Sequence, residues 1–128
     1  MLRFTRLSYG FFGKDSKAYK SAKEAADGQR LINSALQQAA AVPLSVAEKS
    51  AEVERIAKTL KPITNPNMAS DLTTAMALAR AAVAGAIANV EINLESIKSD
   101  SAGSEEFVIL ARSRTQALKA SAASVPGS

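Results

Sequence analysis

The chain has 128 residues, 47% of them apolar, with 16 Lys and Arg against 12 Asp and Glu for a net charge of +4. It contains no cysteine and no histidine. That excludes disulfides, thiolate metal sites, histidine-ligated zinc and any triad or general base built on imidazole, leaving Asp, Glu, Lys, Tyr or bound water to move protons. The apolar content is mostly alanine, with no tryptophan and few aromatics, which favours close-packed helices in one domain over a sheet. Cationic and acidic residues are interspersed without a basic block, so no nucleic-acid partner is expected. The longest apolar run, Ala75 to Val90, is interrupted by Arg80 and reads as a buried helix, so no membrane association is expected.

Residues 1–14 stand apart. Arg3, Arg6 and Lys14 occur there with no acid before Asp15, and five of the six aromatics lie at or before Tyr19. Two readings stay open: a cationic, targeting-like segment, or an irregular lead-in that packs its aromatics on the domain. The expected location is cytoplasmic, with mitochondrial as the alternative that the cationic start suggests.

Asp15 to Ala41 reads as helix, capped by Asp15 or Ser16 and interrupted near Asp27-Gly28. Leu31, Ile32, Ala35, Leu36 and Ala39 form its expected buried stripe. Pro43 within Val42-Pro43-Leu44 is expected to break the run, with Ser45 capping a new helix and Glu48 completing a capping box. That helix should reach Leu60 with Val46, Val53, Ile56, Ala57 and Leu60 inward. Glu48, Lys49, Glu52, Arg55 and Lys58 form its solvated face. After the loop Lys61 to Thr64, a long helix from Pro66 to Ile97 carries Leu72, Met76, Ala79, Val83, Ile87, Val90 and Leu94 at steps of three and four, one continuous seam. A second face of Ala81, Ala82, Gly85, Ala88 and Asn89 is small enough for close approach of another helix. Following a loop from Ser99, Ser104 or Glu105 opens a last helix to about Ala120, with Phe107, Leu110, Ala111 and Leu118 on one side. Residues 121–128 read as a frayed tail. The expected fold is all-α, an antiparallel bundle of about four helices. Alanine-rich seams bury little area per residue, so the long helix is expected to complete its burial in a homodimer.

The densest polar chemistry sits at the two ends of the long helix. At its start, Asn65-Pro66-Asn67-Met68-Ala69-Ser70-Asp71 places Pro66 in the first turn, with Asn, Ser and Asp side chains available to accept unpaired backbone N–H groups. At its other end Asn89 and Asn93 lie one turn apart among apolar residues, as cross-helix hydrogen bonders or as site residues.

Val42-Pro43-Leu44, then Asn65-Pro66-Asn67 with Ser70-Asp71, then Asn89-Val90-Glu91-Ile92-Asn93-Leu94-Glu95-Ser96-Ile97-Lys98 occur in an order and spacing that resemble the cyclodeaminase and methenyltetrahydrofolate cyclohydrolase domain. That domain is the C-terminal half of formimidoyltransferase-cyclodeaminase. The resemblance covers about residues 15–120, with Asp15 to Tyr19 matching an acidic-aromatic motif. The family's Pro-Gly-Gly-Gly-Ser loop and a further long helix have no counterpart here, so the chain is expected to be N-terminally truncated relative to it. The resemblance implies a dimeric helical fold that binds a tetrahydrofolate derivative, with no further cofactor and no metal. The implied reaction is cyclodeamination of 5-formimidoyltetrahydrofolate or hydrolysis of 5,10-methenyltetrahydrofolate; the alternative is an impaired relative serving as a dimerising binding module. It assigns Asp71 as base or stabiliser of a cationic carbon and Asp15 as the second carboxylate. Asn65, Asn67 and Ser70 become substrate or positioning contacts, and Asn89 and Asn93 contact substrate or brace the Asn-Pro-Asn turn.

Overall fold

The computed structural model describes residues 16–99 and 101–123. Asp15 as cap and carboxylate, the aromatics Phe4, Tyr9, Phe11 and Phe12 and the last five residues of the tail lie outside them. The described residues are helical almost throughout and contain no strand: α1 spans Ser16–Leu60, α2 Ala69–Ser96 and α3 Ala102–Ala123. Two short 3-10 turns, Lys61–Ile63 and Pro66–Met68, connect α1 to α2. The all-α expectation holds, but with three helices among the described residues, because the expected break at Pro43 does not occur.

Contacts divide the chain into two units, one ending at Ala35 and the other running from Leu36. In the first, the expected break at Asp27-Gly28 is replaced by continuous helix. The buried Asp27 carboxylate pairs with Lys23 one turn before it, at 3.7 Å, and with Arg30 one turn after. These same-face pairs support the helix across the glycine. The expected buried positions Leu31 and Ile32 are exposed, and Asn33 is buried instead, accepting from Gln29 Nε2 at 3.1 Å.

In the second unit the expected break at Pro43 is also absent, although an interior proline costs a helix about 3 kcal/mol through its missing N–H and its clash with the carbonyl four residues back. Two features offset that cost. Ala40, Leu44 and Ala47 are almost fully buried on either side of it, so packing holds α1 straight through. The freed carbonyl belongs to Ala39, and the Asn93 side chain of α2 donates to it, Nδ2 to O 3.3 Å. Ser45 therefore caps nothing, and Glu48 makes a two-pronged pair with Arg114 of α3, with Nε to Oε2 at 3.0 Å, in place of the expected capping box and solvated role. Glu52 and Arg55 do pair with each other on an exposed face.

Two stripes run along this half of α1. The buried one is small: Ala40, Leu44, Ala47 and Ala57, with Ala51 partly buried. The branched residues expected to face inward, Val46, Val53, Ile56 and Leu60, are 40–50% exposed. Small side chains let helix backbones approach closely and so took the interior, leaving the bulkier stripe outside.

The α2 seam follows expectation from Ala79 onward: Ala79, Val83, Ile87, Val90 and Leu94 are buried, joined by Ala86, while Leu72 and Met76 are only half-buried. Ala40, Leu44, Val90, Leu94, Ile97 and Ala111 form one core cluster, with Leu36, Phe107, Val108 and Leu118 packed against it. Ala47, Val83, Ala86 and Ile87 form a second. By length and composition alone, Pro66–Ser96 is long and apolar enough to cross a membrane, but its core face is taken up by these clusters. The last helix begins earlier than expected, at Ala102, because the Ser101 hydroxyl accepts from the Ser104 amide at 3.2 Å. Its buried positions are Ser104, Ala111 and Thr115, while Leu110 is exposed, lying off the face that those positions define. Thr115 resolves its burial by donating its hydroxyl to the Ala111 carbonyl at 2.8 Å.

Candidate functional site

The first polar end of α2 is built by the Asn-Pro-Asn turn. Asn65 holds the extended backbone that a following proline demands, φ −53° and ψ 130°. Its side-chain oxygen accepts from the Asn67 amide at 3.0 Å, and its carbonyl accepts from the Met68 amide at 2.8 Å. Of the four polar residues expected to cap, only Asn65 does so. Ser70 and Asp71 lie inside the first turn of α2, which already begins at Ala69, so their side chains come too late to cap it. Asn65, Asn67, Ser70 and Asp71 are all exposed. The Ser70 carbonyl accepts the Thr74 hydroxyl at 2.9 Å.

The second polar end is a groove. Gln38, Ala39, Val42, Pro43 and Val46 of α1 face Ala82, Ala86, Asn89 and Asn93 of α2 around an open volume of about 520 Å³. Two sequence segments separated by some forty-five residues, Val42-Pro43 and Asn89 to Asn93, thus line one concavity. Its walls are aliphatic, and its polar groups are three side-chain amides and the Ala39 carbonyl. Asn93 is held at its donor end, with Nδ2 also reaching the Asn89 carbonyl at 2.8 Å. Such a groove can grip a flat body with a hydrogen-bonding edge. Among the described residues no carboxylate or amine lines it.

The structure therefore joins Asn89 and Asn93 to Val42 and Pro43, and does not join them to Asp71 within one chain. Asp71 precedes Asn89 by eighteen residues on the same helix, a separation of about 27 Å. Within one chain Asn93 braces α1 at the carbonyl that Pro43 leaves free. Gln38 and the Ala39 carbonyl were not singled out from the sequence. The available signal for the carbonyl was its place four residues before a proline, which leaves it unpaired in any helix that continues.

A second groove of about 330 Å³, lined by Glu54, Arg80, Val83, Ala84, Ile87, Lys119 and Ala122, carries charges that are already matched. Arg80 pairs with Glu54 and Lys119 with Glu91. Among the described residues no cluster of three acidic side chains could hold a metal ion.

These features define a small all-α domain with an amide-lined cleft between two long helices. The formiminotransferase-cyclodeaminase family model matches residues 10–108, most of the chain, and the chain belongs to that family. No curated protein and no solved structure matches it.

Proposed function

We propose that the chain acts in folate one-carbon chemistry, binding a tetrahydrofolate derivative in the groove between α1 and α2. The reaction is the cyclodeamination of 5-formimidoyltetrahydrofolate or the hydrolysis of 5,10-methenyltetrahydrofolate. The observation that carries this reading is the convergence of Val42, Pro43, Asn89 and Asn93 on one cleft in a chain matched by the formiminotransferase-cyclodeaminase model. Both reactions pass through a tetrahedral carbon between two nitrogens. They need orientation and proton transfer, and neither needs a metal or redox group. The aliphatic walls suit a planar heterocycle, and the amides suit its hydrogen-bonding edge.

Proton transfer falls to Asp71 in this reading, supplied to the groove by a second copy, with Asn65, Asn67 and Ser70 beside it. The exposed stripe of Val42, Val46, Val53, Ile56 and Leu60 supports a homodimer, because Val42 and Val46 also line the groove. A copy seated on that stripe would close the cleft. Antiparallel packing of the helices belongs to the same reading. Sedimentation at micromolar concentration is expected to give a dimer, and a stable monomer would refute it.

The enzymatic test follows the absorbance of 5,10-methenyltetrahydrofolate. The protein is expected to accelerate its loss over buffer, and Asp71→Asn to remove the acceleration. Absence of any acceleration at high protein concentration would exclude the enzyme. A second reading, a folate-binding module without turnover, is favoured by a groove that no carboxylate of the described residues lines. Heat of folate binding in calorimetry without loss of methenyl absorbance would select it.

A further inference from the structure

Pro43 has a consequence for recognition as well as for packing. A proline inside a helix leaves the carbonyl four residues before it without its backbone donor. Here that carbonyl is Ala39, and the Asn93 side chain takes the donor's place at 3.3 Å. The same nitrogen reaches the Asn89 carbonyl at 2.8 Å. A side-chain amide has two N–H donors and one oxygen acceptor, so both donors of Asn93 are spent on backbone carbonyls. Its oxygen has no partner among the described residues, and Asn93 lines the groove.

A free side-chain amide can turn over and offer a ligand either its oxygen or its nitrogen. Asn89 and Gln38, which form no side-chain hydrogen bond among the described residues, retain that freedom and discriminate little. Asn93 does not, because turning over would set its oxygen against two carbonyl oxygens. We propose that Pro43 and Asn93 act as a selectivity pair. Pro43 creates the vacant carbonyl, the carbonyl pins the Asn93 amide, and the pinned amide presents only an acceptor to the groove. The ligand edge selected there is one carrying N–H donors, as in an aminopyrimidinone or amidine, over the same edge with those hydrogens replaced. This rests on the reading of the groove as the folate site and names the edge by which a folate would be held.

Pro43→Ala separates this role from a structural one. It restores a backbone N–H to Ala39, leaves Asn93 only its local bond to Asn89, and places the best helix former inside α1. The probes are 5-formyltetrahydrofolate and its counterpart methylated at ring N3 and at the exocyclic amine. Each is titrated by calorimetry and by NMR of the Asn89 and Asn93 side-chain amides. The wild-type chain is expected to bind the parent roughly threefold to tenfold more tightly than the methylated compound, the worth of one hydrogen bond. In Pro43→Ala, where only the Asn89 bond still orients the amide, that ratio should fall measurably below the wild-type value while the helical circular dichroism is kept. Asn93→Ala should lower it likewise. Equal discrimination in wild type and Pro43→Ala would overturn the selectivity pair. So would equal binding of both compounds by the wild type with the amide signals shifting, an outcome that leaves the folate reading standing. Failure of both compounds to bind would overturn the folate reading and the selectivity pair together.

Discussion

Replacing Asn93 by Ala removes the donor that compensates Pro43, and the cost should depend on whether residue 43 is still proline. In the wild-type background the substitution loses the bond to Ala39, about 0.5–1.5 kcal/mol net, and leaves an unpaired carbonyl at the helix interface. The Ala39 side chain is exposed, so water reaches the site and the penalty stays below that of a fully buried orphan. Alanine returns a few tenths of a kcal/mol through its higher helix propensity. The expected net cost is about 1–2 kcal/mol, a drop of roughly 4–7 °C in Tm for a chain of this size. When residue 43 is alanine, its own N–H serves Ala39. The Asn89 carbonyl retains its ordinary helical donor, so the same Asn93→Ala change should cost no more than about 0.5 kcal/mol. The four proteins of this double-mutant cycle, unfolded by urea at one fixed concentration and followed at 222 nm, should give a coupling of about 1 kcal/mol. Equal costs of Asn93→Ala in the two backgrounds, within about 0.3 kcal/mol, would refute the pairing of Asn93 with the carbonyl that Pro43 vacates.

Leu44→Ala should be among the most damaging single changes. Leu44 is 1% exposed and joins α1 to Val90 and Leu94, so the expected loss is about 2–5 kcal/mol in the same urea assay. Asn65→Ala removes the side-chain acceptor of the Asn67 amide. It should cost about 0.5–1 kcal/mol and speed hydrogen exchange at Asn67 while leaving the centre of α2 protected. The Arg55 hydrogen bond, against a smaller opposing push from desolvation and with a lesser aid from the Arg55 charge, holds the Glu52 carboxyl below its ordinary value of 4.5. A depressed folded-state value contributes stability above the ordinary value and loses it as pH falls through the folded one. Carbon-detected titration of Glu52 should therefore show a low midpoint that returns toward 4.5 in Arg55→Gln; an unchanged midpoint would contradict the pair.

Much of the architecture was legible in the pattern of residues. The steps of three and four from Ala79 to Leu94 specify a buried face whatever packs on it, and the structure buries those positions. The extended backbone at Asn65 and the turn after it follow from Pro66 alone. Pro43 was read by the same local rule and the result differed. Its cost is a few kcal/mol, within reach of packing at Ala40, Leu44 and Ala47 and of one donor fifty residues away. The wrong choice of buried stripe on α1 has a related cause. Hydropathy ranks Val46, Val53 and Ile56 above alanine, whereas the distance between helix axes favours the smallest side chains.

The sequence by itself determined the helical class, the seam of α2, the Asn-Pro-Asn turn and the absence of imidazole and thiol chemistry. Those follow from composition, periodicity and short-range backbone rules. Only the tertiary structure decided that α1 runs unbroken past Pro43. It also decided that Asn93 meets Ala39 and that a groove joins Val42 and Pro43 to Asn89. Each of these depends on which residues distant in the chain come into contact, and contact energies between distant segments can outweigh the local preference of any one residue.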